Sequence, residues 1–296
     1  MLRFVTRLLL PCLALLAGSG PPAWAGQTPL PWVARHGLSA ADYQKAFDEF
    51  GKDFELASVS GYLDNGALRY AALWRKPASA EPWAARHGLS TADFTKAIDD
   101  LAKDGLSLVY VDGYEAGGTP LFAGIWRKSA AGLPVVKLGM NDAHYEAELE
   151  SMHKAGFSLQ YVAGYTHSGV ALYAAIWNKA GGPDPAERHN LTGPQYQQAF
   201  DAFAKQGYRL KEVSGYSPGG VDHYAAIWEK GGDGAPWIAD NGVPLSGYQT
   251  SFDIDRYQGW QPLYVQAFTS GGSARFERSG KARLKAPIST LCKASS

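Results

Sequence analysis

The segment Val-Ser-Gly-Tyr at 59–62, followed by Tyr-Ala-Ala-Leu-Trp-Arg-Lys at 70–76, recurs along this chain of 296 residues. The later copies are Val-Asp-Gly-Tyr (111–114) with Leu-Phe-Ala-Gly-Ile-Trp-Arg-Lys (121–128), Val-Ala-Gly-Tyr (162–165) with Tyr-Ala-Ala-Ile-Trp-Asn-Lys (173–179), and Val-Ser-Gly-Tyr (213–216) with Tyr-Ala-Ala-Ile-Trp-Glu-Lys (224–230). Their tryptophans follow one another at intervals of 52, 51 and 51 residues. A fixed period of this size predicts a repeat architecture, in which the residues common to every copy hold the copies together.

A fifth copy keeps most of the pattern and loses its end. Tyr-Val-Gln-Ala-Phe at 264–268 and Phe276 take the expected places, but Glu-Arg-Ser-Gly at 277–280 replaces Ala-Ala-Ile-Trp. The last strand of this copy therefore lacks the core tryptophan. A polar final copy is typical of the cap of an open solenoid, and it would equally form the seam of a closed ring. Both arrangements remain open at this point.

Each copy is predicted to contain a helix. In the fourth copy, Thr192 is an N-cap residue and Gln195 completes a capping box. Apolar residues then follow at i, i+4 and i+7, and Gly207 ends the helix. The corresponding stripes are Tyr43, Phe47 and Phe50; Phe94, Ile98 and Leu101; Tyr145, Leu149 and Met152; Tyr196, Phe200 and Phe203; and Tyr248 with Phe252. Pro244 occupies the cap position of the fifth helix, which we expect to start poorly.

Two strands follow each helix. In the fourth copy, residues 208–216 and 224–228 are rich in aromatic and β-branched residues, and the Gly-containing turn 217–220 separates them. Both faces of the second strand are apolar, so we expect it to be buried on both sides. The predicted unit is helix–strand–strand, with short irregular joints between units.

One such unit cannot bury its helix stripe and its strand faces alone, so the copies must stack. We therefore predict an α+β protein, with tandem helix–strand–strand repeats of about 51 residues arranged in a compact curved or ring-like array. The repeat domain spans residues 26–280, with copies at about 32–76, 83–128, 134–179, 187–230 and 236–280.

The first 25 residues have the pattern of a secretory signal peptide. Arg3 and Arg7 form a positive segment, 8–16 is a short apolar run, and Ala-Trp-Ala at 23–25 is a cleavage site of the A-x-A type. Because the run is too short to span a bilayer, we expect a secreted or periplasmic protein that starts at Gly26. We expect no stable membrane insertion after cleavage; an uncleaved N-terminal anchor is the alternative.

Charge and cysteine content limit the classes of partner and of stabilising bond. Without the two arginines of the signal segment, 26 basic residues face 28 acidic ones, which argues against nucleic acid as a partner. Cys292 is then the one remaining cysteine, so no disulfide forms within the mature chain. The basic tail at 281–296 is interpreted as a solvated end.

The repeated Gly-Tyr and Tyr-Ala-Ala-Ile-Trp segments resemble the bacterial tandem repeat of polyglycine-hydrolase-like secreted proteins. The resemblance extends from about Trp32 to Phe276. In that family, the repeat module is commonly joined to a β-lactamase-like serine hydrolase domain. This sequence consists of repeats and leaves no space for such a domain. The resemblance therefore implies the accessory module without its catalyst.

Two short motifs of serine enzymes occur, and their context argues against catalysis. Ser151-Met152-His153-Lys154 matches Ser-x-x-Lys but lies in the third predicted helix, with Met152 on the core stripe. Residues 215–219 match G-x-S-x-G but cross a predicted hairpin turn, whereas a nucleophile elbow joins a strand to a helix. We therefore predict no catalytic residue.

Arg-His pairs precede three of the helices, and these six residues are our candidate binding residues: Arg35, His36, Arg86, His87, Arg188 and His189. One interpretation is structural, with both side chains binding the backbone of a neighbouring copy. The other is functional, because a closed ring would gather them at one end to bind an anion or, through three imidazoles, Zn²⁺. We expect neither a metal nor another cofactor to be required.

These observations favour a secreted, non-catalytic repeat module that binds a protein or polymer ligand outside the cytoplasm. Differences between copies of a solenoid lie mostly on one face, and here the hairpin loops at 63–69, 115–120, 166–172 and 217–223 differ most. The alternative is a hydrolase, or a hydrolase accessory subunit, with a site formed between repeats.

Overall fold

The computed structural model describes residues 31–77, 79, 81–129, 132–179, 185–231 and 236–282. The predicted signal peptide, residues 283–296 of the basic tail and Cys292 lie outside this part of the chain. The predictions made for those segments stay predictions.

A helix forms in each of the five copies where the apolar stripes predict one. The helices are α1 (Ala40–Phe50), α2 (Thr91–Lys103), α3 (Asp142–Lys154), α4 (Gly193–Lys205) and α5 (Leu245–Gln258). Side chains of Ser39, Ser90 and Asn141 accept a hydrogen bond from the first turn of their helices, and Thr192 forms the predicted capping box with Gln195. These caps satisfy N–H groups that the helix itself leaves without partners.

The fifth helix forms although its cap position supplies no side-chain acceptor. Pro244 precedes α5, which runs for 14 residues and ends at Gly259 in the left-handed conformation with φ +83°. Tyr248 of this helix is buried and stacks on Phe276 at a ring distance of 4.2 Å. Because packing of this kind contributes more than propensity, the missing cap does not prevent the helix.

Each copy begins with a strand that the sequence analysis missed. These strands are β1 (Trp32–Leu38), β4 (Trp83–Leu89), β7 (Val135–Met140), β10 (Ala186–Thr192) and β13 (Trp237–Pro244). They are half-exposed edge strands, and each has a register shift before its last residues. In β1, the shift falls between Arg35 and Leu38, around Gly37 with φ +68°. The bulge breaks the two-residue alternation, so the predicted helix–strand–strand unit is corrected to strand–helix–strand–strand.

The predicted hairpins complete the five sheets. They are β2 (Glu55–Asp64) with β3 (Ala67–Arg75), β5 (Leu106–Ala116) with β6 (Thr119–Lys128), β8 (Ser158–His167) with β9 (Val170–Asn178), β11 (Tyr208–Tyr216) with β12 (His223–Lys230), and β14 (Trp260–Ser270) with β15 (Ser273–Ala282). Every sheet is antiparallel and three-stranded, with the order β1-β3-β2 in the first copy and its equivalent in the others. The first hairpin strand is therefore an edge; we call β2, β5, β8, β11 and β14 the inner strands.

The central strand of each sheet is buried on both faces, as predicted. In β12, Ala226 and Trp228 pack with Tyr196 of α4, while Ala225 and Ile227 pack against the third copy. The other core tryptophans, Trp74, Trp126 and Trp177, are equally buried. Helix residues also contact the first strand of the next copy, as Tyr43 does with His87 and Tyr145 does with His189.

The glycine of the Gly-Tyr segment is required by the tyrosine of the next copy. A Cβ atom added to Gly61 would lie 2.5 Å from Tyr114, and one added to Gly113 would lie 2.5 Å from Tyr165. Gly164 and Gly215 are covered in the same way by the following copy. A close approach of ring to backbone therefore explains why this glycine recurs.

Side-chain oxygens of one copy accept hydrogen bonds from the inner-strand N–H groups of another. Gly61 N–H donates to Asp112 at 3.0 Å, Gly164 N–H to Ser214 at 2.9 Å, and Gly215 N–H to Gln266 at 3.0 Å. In these three pairs the acceptor directly follows the recurring Val of the next copy; copy three has Ala163 there, which carries no side-chain oxygen. Through these bonds, backbone N–H groups on the free edge of an inner strand gain acceptors, although no further strand of the described chain pairs with that edge.

The fifth copy contacts the first copy through the same kinds of bond. Ala267 N–H donates to Ser60 Oγ at 2.8 Å, Asn65 N–H to Gly272 O at 2.8 Å, and Leu63 N–H to Thr269 Oγ1 at 2.7 Å. Together with Tyr62 and Ala71 of copy one, Tyr248 and Phe276 of copy five form one apolar cluster.

In the part of the chain that is described, no helix has the length and apolar character needed to cross a bilayer.

The Gly113→Ala variant tests the close approach between copies two and three. The added methyl group would overlap the buried Tyr165 ring, so we expect a loss of about 1–3 kcal/mol in the free energy of unfolding, measured in urea. The reverse change Ala267→Gly, at the equivalent position of copy five, is the control and should cost only about 0.5–1 kcal/mol. Unchanged stability of Gly113→Ala would contradict the assignment.

Candidate functional site

Residues at the ends of all five inner strands line one pocket with a volume of about 270 Å³. We call it the hairpin pocket. Its floor consists of the recurring glycines and the tyrosine or phenylalanine that follows them, and its rim consists of the hairpin turns. The lining residues are Gly61, Leu63, Gly113, Tyr114, Glu115, Gly164, Tyr165, Thr166, Gly169, Gly215, Tyr216, Ser217, Gln266, Ala267, Phe268, Thr269, Gly271 and Gly272.

The position after the aromatic residue gives the pocket its individual chemistry. This position holds a different side chain in nearly every copy: Leu63, Glu115, Thr166, Ser217 and Thr269. It is the first position of the loops whose variation the sequence analysis singled out. The pocket therefore combines an almost uniform floor with a variable polar wall.

Several wall groups are held in place by hydrogen bonds between copies. Ser217 N–H donates to Thr166 Oγ1 at 3.0 Å. The Glu115 carboxylate accepts the Ser168 N–H at 2.6 Å, and one of its oxygens lies 3.0 Å from His167 Nδ1. These bonds fix the directions in which the remaining lone pairs and protons point.

Ser217 carries a hydroxyl that the protein leaves without a partner. Its side chain is 7% exposed, and its Oγ forms no hydrogen bond within the described chain. A buried hydroxyl without a partner costs free energy, so rotation of the Ser217 side chain toward a ligand in the pocket would gain a hydrogen bond that the protein itself does not supply.

Two buried carboxyl groups lie on the inner strands behind the pocket. Burial raises the pKa of Asp112 to about 8 against the hydrogen bonds from Gly61 and Gln266. Burial also raises the pKa of Glu212 to about 8, with a smaller contribution from Asp112. Other copies carry Ser60, Ala163 or Ser214 at the Asp112 position. Sequence reasoning missed both acids, although each was recognisable as a carboxyl group at a position where the other copies carry none.

The pocket is equipped for binding. Its lining holds hydroxyls, backbone groups, aromatic edges and one carboxylate, and it includes neither histidine, cysteine nor lysine. A hydrolytic site needs a nucleophile within reach of a base. The described lining residues offer no such pair.

The predicted Arg-His residues lie at three separate junctions. His36 contacts Tyr248 and Phe276 of copy five, His87 contacts Tyr43 and Tyr70 of copy one, and His189 contacts Tyr145 and Tyr173 of copy three, in each case edge to face. The structure does not bring the three imidazoles together.

The arginines of these pairs stay within their own copies. Arg35, Arg86 and Arg188 each donate from Nη1 to the carbonyl of the preceding residue, at 2.9, 2.8 and 2.6 Å. Arg35 and Arg188 also lie over the rings of Phe50 and Phe203. The structural interpretation expected these guanidinium groups to bind the backbone of a neighbouring copy. They bind the backbone of their own copy instead.

A wider depression of about 670 Å³ lies beside Arg35 and His36, between β1 and α5. Tyr248, Gln249 and Arg256 line its other side. It reaches Pro31, where the described chain begins, so the described residues do not define its outer wall.

The two serine-enzyme motifs lie in settings without catalytic geometry. Ser151 is exposed on α3, and Lys154 forms an ion pair with Glu150 at 2.6 Å. Ser217 leads into a single 3₁₀ turn at Pro218–Gly220 rather than a helix. Neither motif therefore lies in the structural context that its catalytic counterpart requires.

The fifth copy replaces its missing tryptophan with internal polar pairs. Arg278 forms ion pairs with Asp240 and Asp255. Glu277 accepts the Gly242 N–H at 2.9 Å; in copy one, the Tyr62 hydroxyl accepts the equivalent bond from Gly37. Because Phe268 has no hydroxyl, Glu277 serves as the substitute acceptor, and this cluster is structural.

The sequence model of the family described as "Polyglycine hydrolase-like, structural repeat" matches residues 29–77, 80–129, 133–180, 182–231 and 234–277. These five matches cover most of the chain, which therefore belongs to this family of structural repeats. A search of curated proteins found no match.

Stability should fall as pH rises through the neutral range. In the unfolded chain, the carboxyl groups of Asp112 and Glu212 lose their protons near their ordinary pKa values of 3.8 and 4.5, whereas in the folded protein they keep them up to about pH 8. Between these pH values the folded state therefore binds more protons than the unfolded state. The free energy of unfolding therefore decreases with pH, by up to about 1.4 kcal/mol per pH unit for each group. The contribution of these two groups levels off above pH 8.

Urea unfolding at pH 5, 6, 7 and 8 measures this slope. Asp112→Asn keeps an acceptor for Gly61 and removes this group's titration, so its slope should be about two thirds that of the wild type, to which buried Glu212 and Glu277 also contribute. Asp53→Asn, at an exposed position, is the control and should leave the slope unchanged. Equal slopes for the wild type and Asp112→Asn would refute the role given to Asp112.

Proposed function

We propose that this member of the polyglycine hydrolase-like structural repeat family is a secreted, non-catalytic module that binds a protein or polymer through its hairpin pocket. The observation that carries the proposal is a pocket that residues of all five copies line with a variable polar wall, with the unpartnered Ser217 hydroxyl buried just beneath its surface. An exported position rests on the signal pattern at 1–25.

We further propose that the five copies close into a ring around the inner strands. The contacts of β14 with β2 support closure, because they repeat the contacts between successive copies elsewhere. A closed arrangement leaves no terminal copy with an exposed apolar face. It also explains how five separate loops surround one pocket.

The size and lining of the pocket favour one inserted group rather than a whole ligand. A volume near 270 Å³ is below the usual range of about 300–1,000 Å³ for small-molecule sites. A side chain or chain end of a larger ligand would enter, while the surrounding loops contact the rest. The hydroxyls of Ser217 and Thr269 and the Glu115 carboxylate would then select a polar group that donates hydrogen bonds.

A retention experiment tests the binding proposal. Protein recovered from the culture fluid or periplasm, with its N-terminus expected at Gly26, is immobilised. It is then offered peptidoglycan, chitin, cellulose and the extracellular protein fraction of its own cells. Ser217→Ala should weaken retention of the bound component by about 2- to 10-fold, the effect of one hydrogen bond, and its melting temperature should be no lower than that of the wild type, because the buried unpartnered hydroxyl is removed.

Ser151→Ala, an exposed serine on α3, is the matched control and should bind like the wild type. Retention of nothing by the wild type would overturn the binding function. Equal retention by Ser217→Ala would move the site away from the pocket. Recovery of a hydrolase as the bound protein would favour the alternative, an accessory subunit.

A further inference from the structure

The junction between copies three and four gathers an imidazole and two carboxylates. His189 comes from β10, and Asp142 and Glu146 come from the first turns of α3. One ligand atom of each residue lies within 4.8 Å of the other two. Among the described residues, no other group of three or more metal-ligating side chains is this close.

The distances suit a small divalent cation. His189 Nε2 lies 3.5 Å from Asp142 Oδ1 and 3.8 Å from Glu146 Oε1. Ligands at about 2.0–2.2 Å from a tetrahedral Zn²⁺ are roughly 3.3–3.6 Å apart. Slight rotation of the exposed Glu146 side chain would bring all three donors to bonding distance.

A second carboxylate orients the imidazole from behind. His189 Nδ1 lies 3.0 Å from Glu187 Oε1, and Tyr145 Oη donates to the same oxygen at 3.2 Å. With a proton on Nδ1, Nε2 presents its lone pair toward Asp142 and Glu146. This carboxylate–histidine arrangement is the usual support of a zinc-binding imidazole.

The Asp142 carboxylate is also held in position. Its oxygens accept hydrogen bonds from the Tyr173 hydroxyl at 3.0 Å and from Asn190 Nδ2 at 3.1 Å. Asn190 takes the left-handed conformation, with φ +52°, where copies one and two have Gly37 and Gly88. Only an asparagine or a glycine fits this position readily, and asparagine adds the bond to Asp142.

Equivalent junctions have the imidazole without the carboxylates. At the junction of copies five and one, His36 lies beside Gln249, and Leu245 takes the place of Asp142. At the junction of copies one and two, the α1 residues in these places are Ala40 and Gln44. A histidine that served packing alone would not need the three acids that surround His189.

We propose that His189 Nε2, Asp142 and Glu146 form a binding site for one divalent transition-metal ion, with Zn²⁺ as the best fit, that joins copies three and four. Solvent completes the coordination, because the side chains of Asp142 and Glu146 are 45% and 67% exposed. The open position is typical of zinc sites with three protein ligands.

Protons compete with the metal for the same imidazole. Burial by itself lowers the pKa of His189, but the hydrogen bond to Glu187 and the charges of Glu187, Asp142 and Glu146 outweigh it and raise the pKa. Zinc must therefore displace a proton, so its affinity should fall as pH is lowered.

Isothermal titration of chelator-treated, untagged protein with ZnCl₂ tests the site. At pH 7.5 we expect one ion per chain, a rise in melting temperature, and affinity at least 10-fold weaker at pH 5.5. His189→Gln and Asp142→Asn should each weaken binding at least 10-fold. His87→Gln, which removes the equivalent imidazole at the carboxylate-free junction, is the control and should bind as the wild type does.

Far-UV circular dichroism and the melting temperature without metal establish that each variant is folded. If ZnCl₂ releases no heat with wild-type protein and does not change its melting temperature, the proposal is overturned. The cluster would then be an ion pair between protonated His189 and the surrounding carboxylates. Binding that survives in folded His189→Gln would also overturn it, because the ion would then be held elsewhere in the chain.

Discussion

The N–H groups on the free edge of an inner strand need acceptors, and this requirement links the copies. A three-stranded sheet satisfies only one side of its edge strand. At most junctions a side-chain oxygen of the next copy takes the place of another strand, as Asp112 does for Gly61 and Ser214 does for Gly164. The tyrosine two positions further on covers the same glycine. At the junction of copies two and three the equivalent residue is Ala163, and the Tyr165 ring covers Gly113. One copy is therefore incomplete without its neighbour.

The same constraint separates structural residues from residues that are available for binding. The recurring residues pack in the cores or form the contacts between copies. They are the Val, Gly, Tyr and Trp of the repeat. Two kinds of position vary between copies. One is the residue after the tyrosine, such as Ser217, and the other is a junction residue that only one copy carries, such as Asp142 or Glu146. The hairpin pocket and the proposed cation site both consist of such departures from the repeat. Function in a repeat protein is thus to be sought where copies differ.

Much of the fold follows from sequence periodicity, whereas the sites depend on contacts between copies. The stripe Tyr196, Phe200 and Phe203 and the double apolar face of β12 predicted a helix and a buried strand, and both are confirmed. The first strand was missed because its bulge at Gly37 removes alternation. The Arg-His pairs recur in sequence, but their separation in space depends on which copies meet, and no local pattern contains that information. The position of Ser217 was recognisable as variable, yet its unpartnered hydroxyl was not.

Side-chain oxygens of one copy accept hydrogen bonds from strand-edge N–H groups of another copy, and this holds for copies five and one as well. Amide hydrogen exchange at Ala267 tests this most directly. We expect the Ala267 N–H to be protected to about the same degree as the Gly164 N–H, which donates to the neighbouring fourth copy. Replacement of Ser60 by alanine should speed exchange at Ala267 and leave Gly164 unchanged. Exchange of Ala267 at the rate of an unstructured amide, with Gly164 still protected, would contradict the account.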